Sequence, residues 1–218
     1  MIPVKAVLFD FGQVLSQPAD PAIWQQMLNI SGLSEADLHR EYWAHRHEYD
    51  RGTFTGEAYW HKVASGSQAT FTPAQIAALI DADVNLWSRL NLPMVEWAQS
   101  LQRAGIRTGI LSNIGDAMAD GLTAKFDWIS GFDHCIWSHT LKLAKPEAAI
   151  YHCAAQGLDT DPAQILFIDD KQENIEAAQS TGMQAILYAN HTAFEEEMRQ
   201  RGFDSLLNPV SVMSANTR

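Results

Sequence analysis

Five short apolar runs, separated by helix-like stretches, are the feature that most restricts how this 218-residue chain can fold. The runs occupy residues 4–10, 107–112, 134–138, 165–169 and 184–189. Helix-like stretches at about 115–127, 146–157 and 171–181 separate the last four runs, and Pro146 suits a first helical turn. Strands that alternate with helices in this way are typical of a parallel sheet with helices on both faces. We therefore predict an α/β fold with a doubly wound parallel sheet.

The interval between the first two apolar runs does not follow this alternation. Residues 16–91 contain helical patterns at about 21–30, 34–49, 55–64 and 73–89, and no convincing strand. Ser34 and Thr72 are plausible N-caps for two of these helices. We predict that 16–91 form an inserted all-helical cap domain, and that 1–15 together with 92–218 form the core domain.

The charge balance argues against some classes of partner. Fifteen Lys and Arg face 26 Asp and Glu, which gives a formal net charge of −11. Such a chain repels phosphate backbones and anionic lipid, so nucleic-acid and membrane partners are disfavoured. We find no signal-peptide pattern and no run of about 18 apolar residues, and therefore expect a cytoplasmic protein. Monomer and dimer both remain open.

Polar side chains follow the predicted strands at their carboxyl ends, where open parallel sheets bind their ligands. They are Asp10, Ser112, Asn113, Asp169 and Asp170, with Lys145 at the start of the helix before the fourth strand. Each has an ordinary explanation by itself, as a helix cap, a first-turn acid or a solvated charge. Three carboxylates at one sheet edge repel one another unless a cation holds them, and Mg²⁺ with oxygen ligands meets that need.

Four segments in order resemble the motifs of the haloacid dehalogenase (HAD) superfamily. FDFGQVL (9–15) is similar to its first motif, ILSN (110–113) to its second, KPEAAIY (145–151) to its third and FIDDKQENIEAA (167–178) to its fourth. The insertion after the first motif stands where the family places its helical C1 cap. The resemblance spans nearly the whole chain and implies a Rossmann-like core.

The resemblance also implies a reaction and a role for four residues. Asp10 would attack phosphorus and form an aspartyl-phosphate, and Lys145 would neutralise charge on the nucleophile and the phosphoryl group. Ser112 and the backbone around Asn113 would bind phosphoryl oxygens. Phosphoryl transfer depends mainly on such positioning and charge neutralisation. The expected partner is a small phosphorylated metabolite.

A magnesium site follows from the same resemblance. Mg²⁺ would be held by Asp10, the Gly12 carbonyl, Asp169 and Asp170. Haloacid dehalogenases, which attack carbon without a metal, generally lack the paired acids of the fourth motif. The FIDD segment keeps both acids, which favours a phosphatase over a 2-haloacid dehalogenase.

Gly12 departs from the family pattern. Family phosphatases usually carry a second Asp two residues after the nucleophile, as general acid and base for the leaving oxygen. Glycine permits a tight backbone path but transfers no proton. Two alternatives to an efficient phosphatase therefore stay open, a dehalogenase and a weakly active phosphate-ester-binding relative. His45 or His47 of the cap is a candidate substitute acid. The DxG variant resembles the branch with sugar-phosphate phosphatases and the N-terminal phosphatase domain of soluble epoxide hydrolase.

The cap stretch 39–60 is rich in aromatic and basic residues. Tyr42, Trp43 or Trp60 is a candidate contact for a sugar or an apolar tail, although aromatics at helical spacing more often belong to the core. Arg46 and Arg51 are candidate anion contacts, with a solvated helix face as the expected alternative.

Overall fold

A five-stranded parallel sheet lies at the centre of the computed structural model, which describes residues 3–209. The strands are β1 (Ala6–Phe9), β2 (Arg107–Ser112), β3 (His134–Trp137), β4 (Ile165–Asp169) and β5 (Gln184–Leu187). Their order across the sheet is β3-β2-β1-β4-β5. The predicted doubly wound parallel sheet is thus confirmed. Residues 1–2 and 210–218 of the predicted core lie outside the described residues.

The central strand β1 is buried on both faces, as a parallel sheet covered by helices requires. Val7 and Phe9 belong to one hydrophobic cluster, and Ala6 and Leu8 belong to the cluster on the other face. Phe9 pairs in register with both neighbouring strands. The carboxyl ends of β1, β2 and β4 therefore reach the same edge of the sheet.

Helices account for most of the remaining described chain. Between β1 and β2 lie α1 (Pro21–Ser31), α2 (Glu35–Ala44), α3 (Arg46–Asp50), α4 (Gly56–Gly66), α5 (Pro73–Leu86) and α6 (Leu92–Arg103). After β2 come α7 (Asp116–Lys125), α8 (Ser138–Leu141), α9 (Ala148–Gly157), α10 (Gln172–Ser180), α11 (His191–Gln200) and α12 (Asp204–Leu207). No helix within 3–209 has the length and apolar character needed to cross a membrane.

The chain leaves the sheet and returns to it at neighbouring points. Ser16 and Leu90 form an antiparallel bridge. The backbone N–H of Asn91 donates to the carbonyl of Leu15 at 2.9 Å. Helices α1 to α5 all lie between these two crossings. The division into a core and an inserted cap at 16–91 stays a prediction, since these contacts locate the crossings and do not test independent movement.

One predicted helix is broken into two. The stretch predicted at 34–49 forms α2 and α3, because His45 takes φ −115° and ψ 0°, outside the helical range. The break gives Arg46 a position at the start of α3, where its guanidinium turns inward to the carboxylates of Asp50 and Asp83. The helical periodicity of 34–49 predicted one continuous helix because it carries no information about these ion pairs of Arg46.

Candidate active site

Lys145 lies between two carboxylates at the carboxyl edge of the sheet. Its Nζ is 2.8 Å from Oδ1 of Asp10, which follows β1, and 2.7 Å from Oδ2 of Asp169, the last residue of β4. The Lys145 side chain is 2% exposed and that of Asp169 is fully buried. Burial alone would lower the pKa of Lys145, but the carboxylates of Asp10 and Asp169 raise it above its ordinary value. Lys145 is therefore a fixed, buried cation.

Asn113 sets the position of Lys145 by bonding its backbone. The N–H of Lys145 donates to Asn113 Oδ1 at 2.8 Å, and Asn113 Nδ2 donates to the carbonyl of Lys145 at 2.9 Å. The prediction that Lys145 begins a helix with Pro146 in its first turn was wrong, since α9 begins at Ala148. Both backbone groups of Lys145 are taken by Asn113 instead. An amide that follows a strand carries no sequence signal for this use.

Asp10 presents one anchored and one unbonded carboxylate oxygen. Oδ1 accepts from the backbone N–H of Phe11 at 2.8 Å as well as from Lys145. Within residues 3–209, no hydrogen bond ends on Oδ2. Burial raises the pKa of Asp10 to about 7, with a further increase from Asp169 and an opposing effect from Lys145. A bound cation would oppose this shift, because it stabilises the carboxylate form.

Three carboxylates form a cluster suited to a metal ion. Asp10, Asp169 and Asp170 each offer an oxygen, and these oxygens lie within 4.8 Å of one another. Asp170 Oδ2 accepts from Gln13 Nε2 at 2.6 Å, whereas Oδ1 is buried without a hydrogen-bond partner. An orphaned buried oxygen beside two further carboxylates fits a hard divalent cation with oxygen ligands.

A cavity of about 330 Å³ opens above this cluster. Six of the seven residues predicted from the sequence line it, and the seventh, Asp169, lies fully buried beneath it. The six are Asp10, Gly12, Ser112, Asn113, Lys145 and Asp170. The fold thus brings all of the predicted site residues to one place, while their individual roles stay predictions.

Gly12 leaves open space in this cavity. Its backbone takes φ −64° and ψ 128°, which any residue adopts, and a Cβ built there would meet nothing within 4 Å. Neither the backbone conformation nor crowding therefore requires glycine at this position. The consequence of Gly12 is chemical, since no side chain from this position reaches the cavity.

The opposite wall of the cavity comes from the helices between β1 and β2. Trp43, Arg46, His47, Asp50 and Trp87 line it. Trp43 is 48% exposed, in contrast to the buried residues Tyr42 and Trp60, which belong to the core as expected for most aromatics. His47 lines the cavity, whereas His45 does not.

Arg46 is buried in an ion-pair network rather than on a solvated face. Its Nε donates to Asp50 Oδ1 at 2.9 Å, and its Nη1 donates to Asp83 Oδ2 at 2.9 Å. Tyr42 also donates to Asp83, at 2.7 Å. Burial raises the pKa of Asp50 to about 6, against the opposing effect of Arg46. Sequence reasoning missed Asp50, although its i,i+4 spacing from Arg46 is a recognisable ion-pair signal.

Contacts from α3 and the residue after it reach segments at the carboxyl edge of the sheet. Arg51 pairs with both carboxylate oxygens of Glu147, two residues after Lys145, with Nη2 3.2 Å from Oε2. The Ser138 hydroxyl donates to the Asp50 carbonyl at 2.5 Å. These contacts attach the wall that carries Asp50 to the segment that carries Lys145 and to α8.

The sequence of the chain is similar to those of several characterised proteins. The chain is 27% identical to sesquiterpene phosphatase astK of Aspergillus oryzae over 201 residues, which covers 90% of this chain and 95% of that protein. It is 24% identical to drimenol cyclase drtB of Aspergillus calidoustus, covering 98% of this chain and 41% of that protein. It thus spans less than half the length of drtB.

Two further matches come from a dehalogenase and from a solved structure. The chain is 24% identical to (S)-2-haloacid dehalogenase 1 of Pseudomonas sp. (strain CBS-3), covering 85% of each protein. The magnesium complex of the HAD family enzyme bt-2542 from Bacteroides thetaiotaomicron shares the fold, with a TM-score of 0.74 and 20% identity. That match covers 90% of this chain and 98% of the other.

A family model also matches the chain directly. The model describes a haloacid dehalogenase-like hydrolase and matches residues 4–182, from just before β1 to just before β5. This range contains the four motif segments and all the cavity-lining residues named above. The protein is therefore a hydrolase that belongs to the haloacid dehalogenase-like family, as its motifs predicted.

Proposed function

We propose that the protein is a Mg²⁺-dependent phosphatase that hydrolyses a small phosphomonoester through an aspartyl-phosphate on Asp10. The observation that carries this proposal is the placement of Lys145 between Asp10 and Asp169, beside the unpartnered oxygen of Asp170. A buried cation and three clustered carboxylates meet the needs of phosphoryl transfer, which are positioning and charge neutralisation.

In the first step Asp10 Oδ2 forms a bond to phosphorus while the bond to the leaving oxygen breaks. Lys145 neutralises charge on Asp10 and on the phosphoryl oxygens, and Ser112 with the backbone at Asn113 binds those oxygens. In the second step water attacks the phosphorus, and Asp10 is released. Splitting the reaction into two displacements at one fixed carboxylate is nucleophilic catalysis.

The residues proposed to hold Mg²⁺ are Asp10, Asp169 and Asp170, with the carbonyl of Gly12. A cation bound there supplies positive charge to the phosphoryl oxygens and keeps the clustered carboxylates ionised. Asp169 has a second use, because its Oδ2 fixes the ammonium group of Lys145. Asp170 is the ligand that the fold leaves most available, since its Oδ1 is bonded to no other group in 3–209.

Residues 16–91 are proposed to act as a cap that selects the organic part of the substrate. This segment contributes Trp43 and Trp87 to the cavity wall that faces the catalytic residues. The relative astK is named as a sesquiterpene phosphatase. An exposed indole face in the cavity suits an apolar group, so we favour an apolar phosphate ester over a sugar phosphate.

A direct test measures phosphate and halide release by the purified protein. The substrates are a panel of sugar, alkyl and isoprenoid phosphomonoesters and a panel of 2-haloacids, each with Mg²⁺ or with EDTA. The proposal expects phosphate release that requires Mg²⁺ and is highest for an ester with an apolar group. Phosphate release unchanged by EDTA would contradict the proposed metal dependence.

The second candidate function is a 2-haloacid dehalogenase. The match to the Pseudomonas dehalogenase over most of both chains favours it. In that reaction Asp10 would attack carbon and displace a halide, with no use for the cation site at Asp170. Halide release in EDTA, together with no phosphate release, would select this candidate.

A further inference from the structure

Hydrolysis of an alkyl phosphate requires a proton for the leaving oxygen, and Gly12 supplies none. A carboxyl group at that position would have room to reach the cavity, because a Cβ built there meets nothing within 4 Å. Glycine has no side chain and leaves that space open. The donor must therefore come from another wall of the same cavity. Two titratable side chains on the opposite wall, His47 and Asp50, line the cavity together with Asp10.

Asp50 has the more fixed position of the two. Its Oδ1 accepts from Arg46 Nε at 2.9 Å, and its carbonyl accepts from the Ser138 hydroxyl at 2.5 Å. The next residue, Arg51, is paired with Glu147. Both ends of the Asp50 residue are therefore held, one by a buried cation and the other by the core. The side chain of His47 is exposed and makes no hydrogen bond within 3–209.

The second carboxyl oxygen of Asp50 is available for chemistry. Within the described part of the chain no hydrogen bond ends on Oδ2, and the side chain as a whole is 14% exposed. Its pKa of about 6, raised by burial, means that about a tenth of the group carries a proton at pH 7. Such a group donates a proton more readily than an ordinary, solvated aspartate at that pH.

We infer that Asp50 is the general acid for the leaving group and takes the role that the family gives to the position of Gly12. The inference rests on the proposed phosphatase function. As Asp10 forms its bond to phosphorus, the electron pair of the breaking P–O bond stays on the leaving oxygen. That oxygen takes the proton from Asp50 Oδ2 and departs as an alcohol.

The second step restores the starting state. Water attacks the aspartyl-phosphate, and the carboxylate of Asp50 takes a proton from that water. The bond between phosphorus and Asp10 breaks, which releases inorganic phosphate. The protonated Asp50 and the free Asp10 carboxylate are then ready for the next substrate, so atoms and charges balance over the cycle.

The test compares substrates that differ in their need for a proton. Wild type and Asp50→Asn are assayed with Mg²⁺ on butyl phosphate and on p-nitrophenyl phosphate, whose leaving group departs as a stable anion. Asn keeps an oxygen that can accept from Arg46 Nε but has no acidic proton to give. The variant therefore removes the proposed proton donor and keeps the hydrogen bond to Arg46. We expect the single-turnover rate of enzyme phosphorylation by butyl phosphate to fall by about 10²-fold or more, with a much smaller loss for the aryl ester.

Two variants separate this catalytic role from a structural one. Asp83→Asn weakens the same Arg46 network from a buried position that does not line the cavity, and it keeps the Asp50 carboxyl. At a pH below the pKa of Asp50, where that carboxyl is protonated in both proteins, it should lower the phosphorylation rate of both esters equally or of neither. Gly12→Asp placed in the Asp50→Asn background should restore butyl phosphate hydrolysis, since Gly12 has room for a side chain. Thermal unfolding of each variant shows whether it is folded.

Each outcome decides between the inference and its alternatives. Equal losses of the phosphorylation rate with both substrates in Asp50→Asn, or a selective loss in His47→Gln instead, would overturn the inference and leave the phosphatase function standing. No phosphate release from either ester by the wild type would overturn the proposed function and the inference with it. A selective loss that Gly12→Asp rescues supports both.

Discussion

The side chain of Asn113 hydrogen-bonds both backbone polar groups of Lys145, a residue 32 positions later in the chain. Asn113 follows β2, and Lys145 lies in the segment before α9. The amide therefore connects two of the four motif segments and fixes the origin of the Lys145 side chain. Lys145 reaches Asp10 and Asp169 from that fixed point.

Substitution of Asn113 by Ala should displace Lys145 and slow catalysis. Loss of two hydrogen bonds frees the Lys145 backbone, and a displacement of about 1 Å at a reacting group costs on the order of 10² in rate. We expect kcat for phosphate release to fall by about that factor in steady-state assays. Asn190→Ala, which removes a helix cap at α11 outside this cavity, is the matched control. Full activity in Asn113→Ala would contradict the positioning role.

Substitution of Asp170 by Asn should weaken Mg²⁺ binding. The change removes the charge of the carboxylate whose Oδ1 has no other partner in the described residues. Isothermal titration with Mg²⁺ should show a loss of at least about tenfold in affinity. Asp159→Asn is the control, because its side chain is 96% exposed and far from the cluster in the fold. Equal Mg²⁺ affinities in both variants would show that Asp170 is not a ligand.

The rate of enzyme phosphorylation by alkyl phosphates should fall as pH rises through about 6. Burial raises the pKa of Asp50 to about that value from 3.8, so the protonated acid is present below it and lost above it. Arg46 and Lys171 lower this pKa, and Asp83 raises it. The other titratable groups on elements packed against α3 include Glu41 on α2, Tyr59 on α4 and His139 on α8.

Single-turnover measurements of enzyme phosphorylation are the suitable assay. The second step needs Asp50 as a base, so its rate should rise with pH and would mask the fall expected for the first step. The expected fall should be absent in Asp50→Asn and weak for p-nitrophenyl phosphate. An identical pH dependence in wild type and Asp50→Asn would assign the titration to a different group.

Substitution of Trp43 by Ala should impair apolar substrates selectively. The indole is 48% exposed on the cavity wall, so its removal takes away contact area without opening the core. We expect KM for an isoprenoid phosphate to rise about tenfold, in line with the loss of a large apolar contact, and KM for a sugar phosphate to change little. Leu187→Ala, at an exposed position outside the cavity, is the control. A larger effect on the sugar phosphate would reverse the proposed preference.

Much of the fold followed from local patterns in the sequence. The apolar runs at 107–112 and 165–169 are the observed strands β2 and β4, because strands buried on both faces are continuous in hydrophobicity. The polar residues after β1, β2 and β4 converge, as the carboxyl ends of parallel strands must. Six of the seven predicted site residues, all except Lys145, lie at or just after the ends of these strands, so the order of the strands was enough to place those six together.

Other parts of the site depended on contacts that no local pattern encodes. Lys145 is placed by Asn113, and the cavity wall at Asp50 is attached to the core through Ser138. Arg46 was expected on a solvated face, yet the fold surrounds it with Asp50 and Asp83, which lie 4 and 37 residues away. Sequence spacing can suggest the first of these pairs, whereas the second forms only because the fold brings Arg46 of α3 next to Asp83 of α5.

The measurement that tests the central claim most directly is detection of phosphate bound covalently to Asp10. The enzyme is mixed with substrate and Mg²⁺, quenched in acid during turnover, digested and analysed by mass spectrometry. The account predicts a phosphorylated peptide modified at Asp10, absent in EDTA and absent in Asp10→Asn, which should also lose turnover. Continued phosphate release by Asp10→Asn, with no adduct in the wild type, would contradict it.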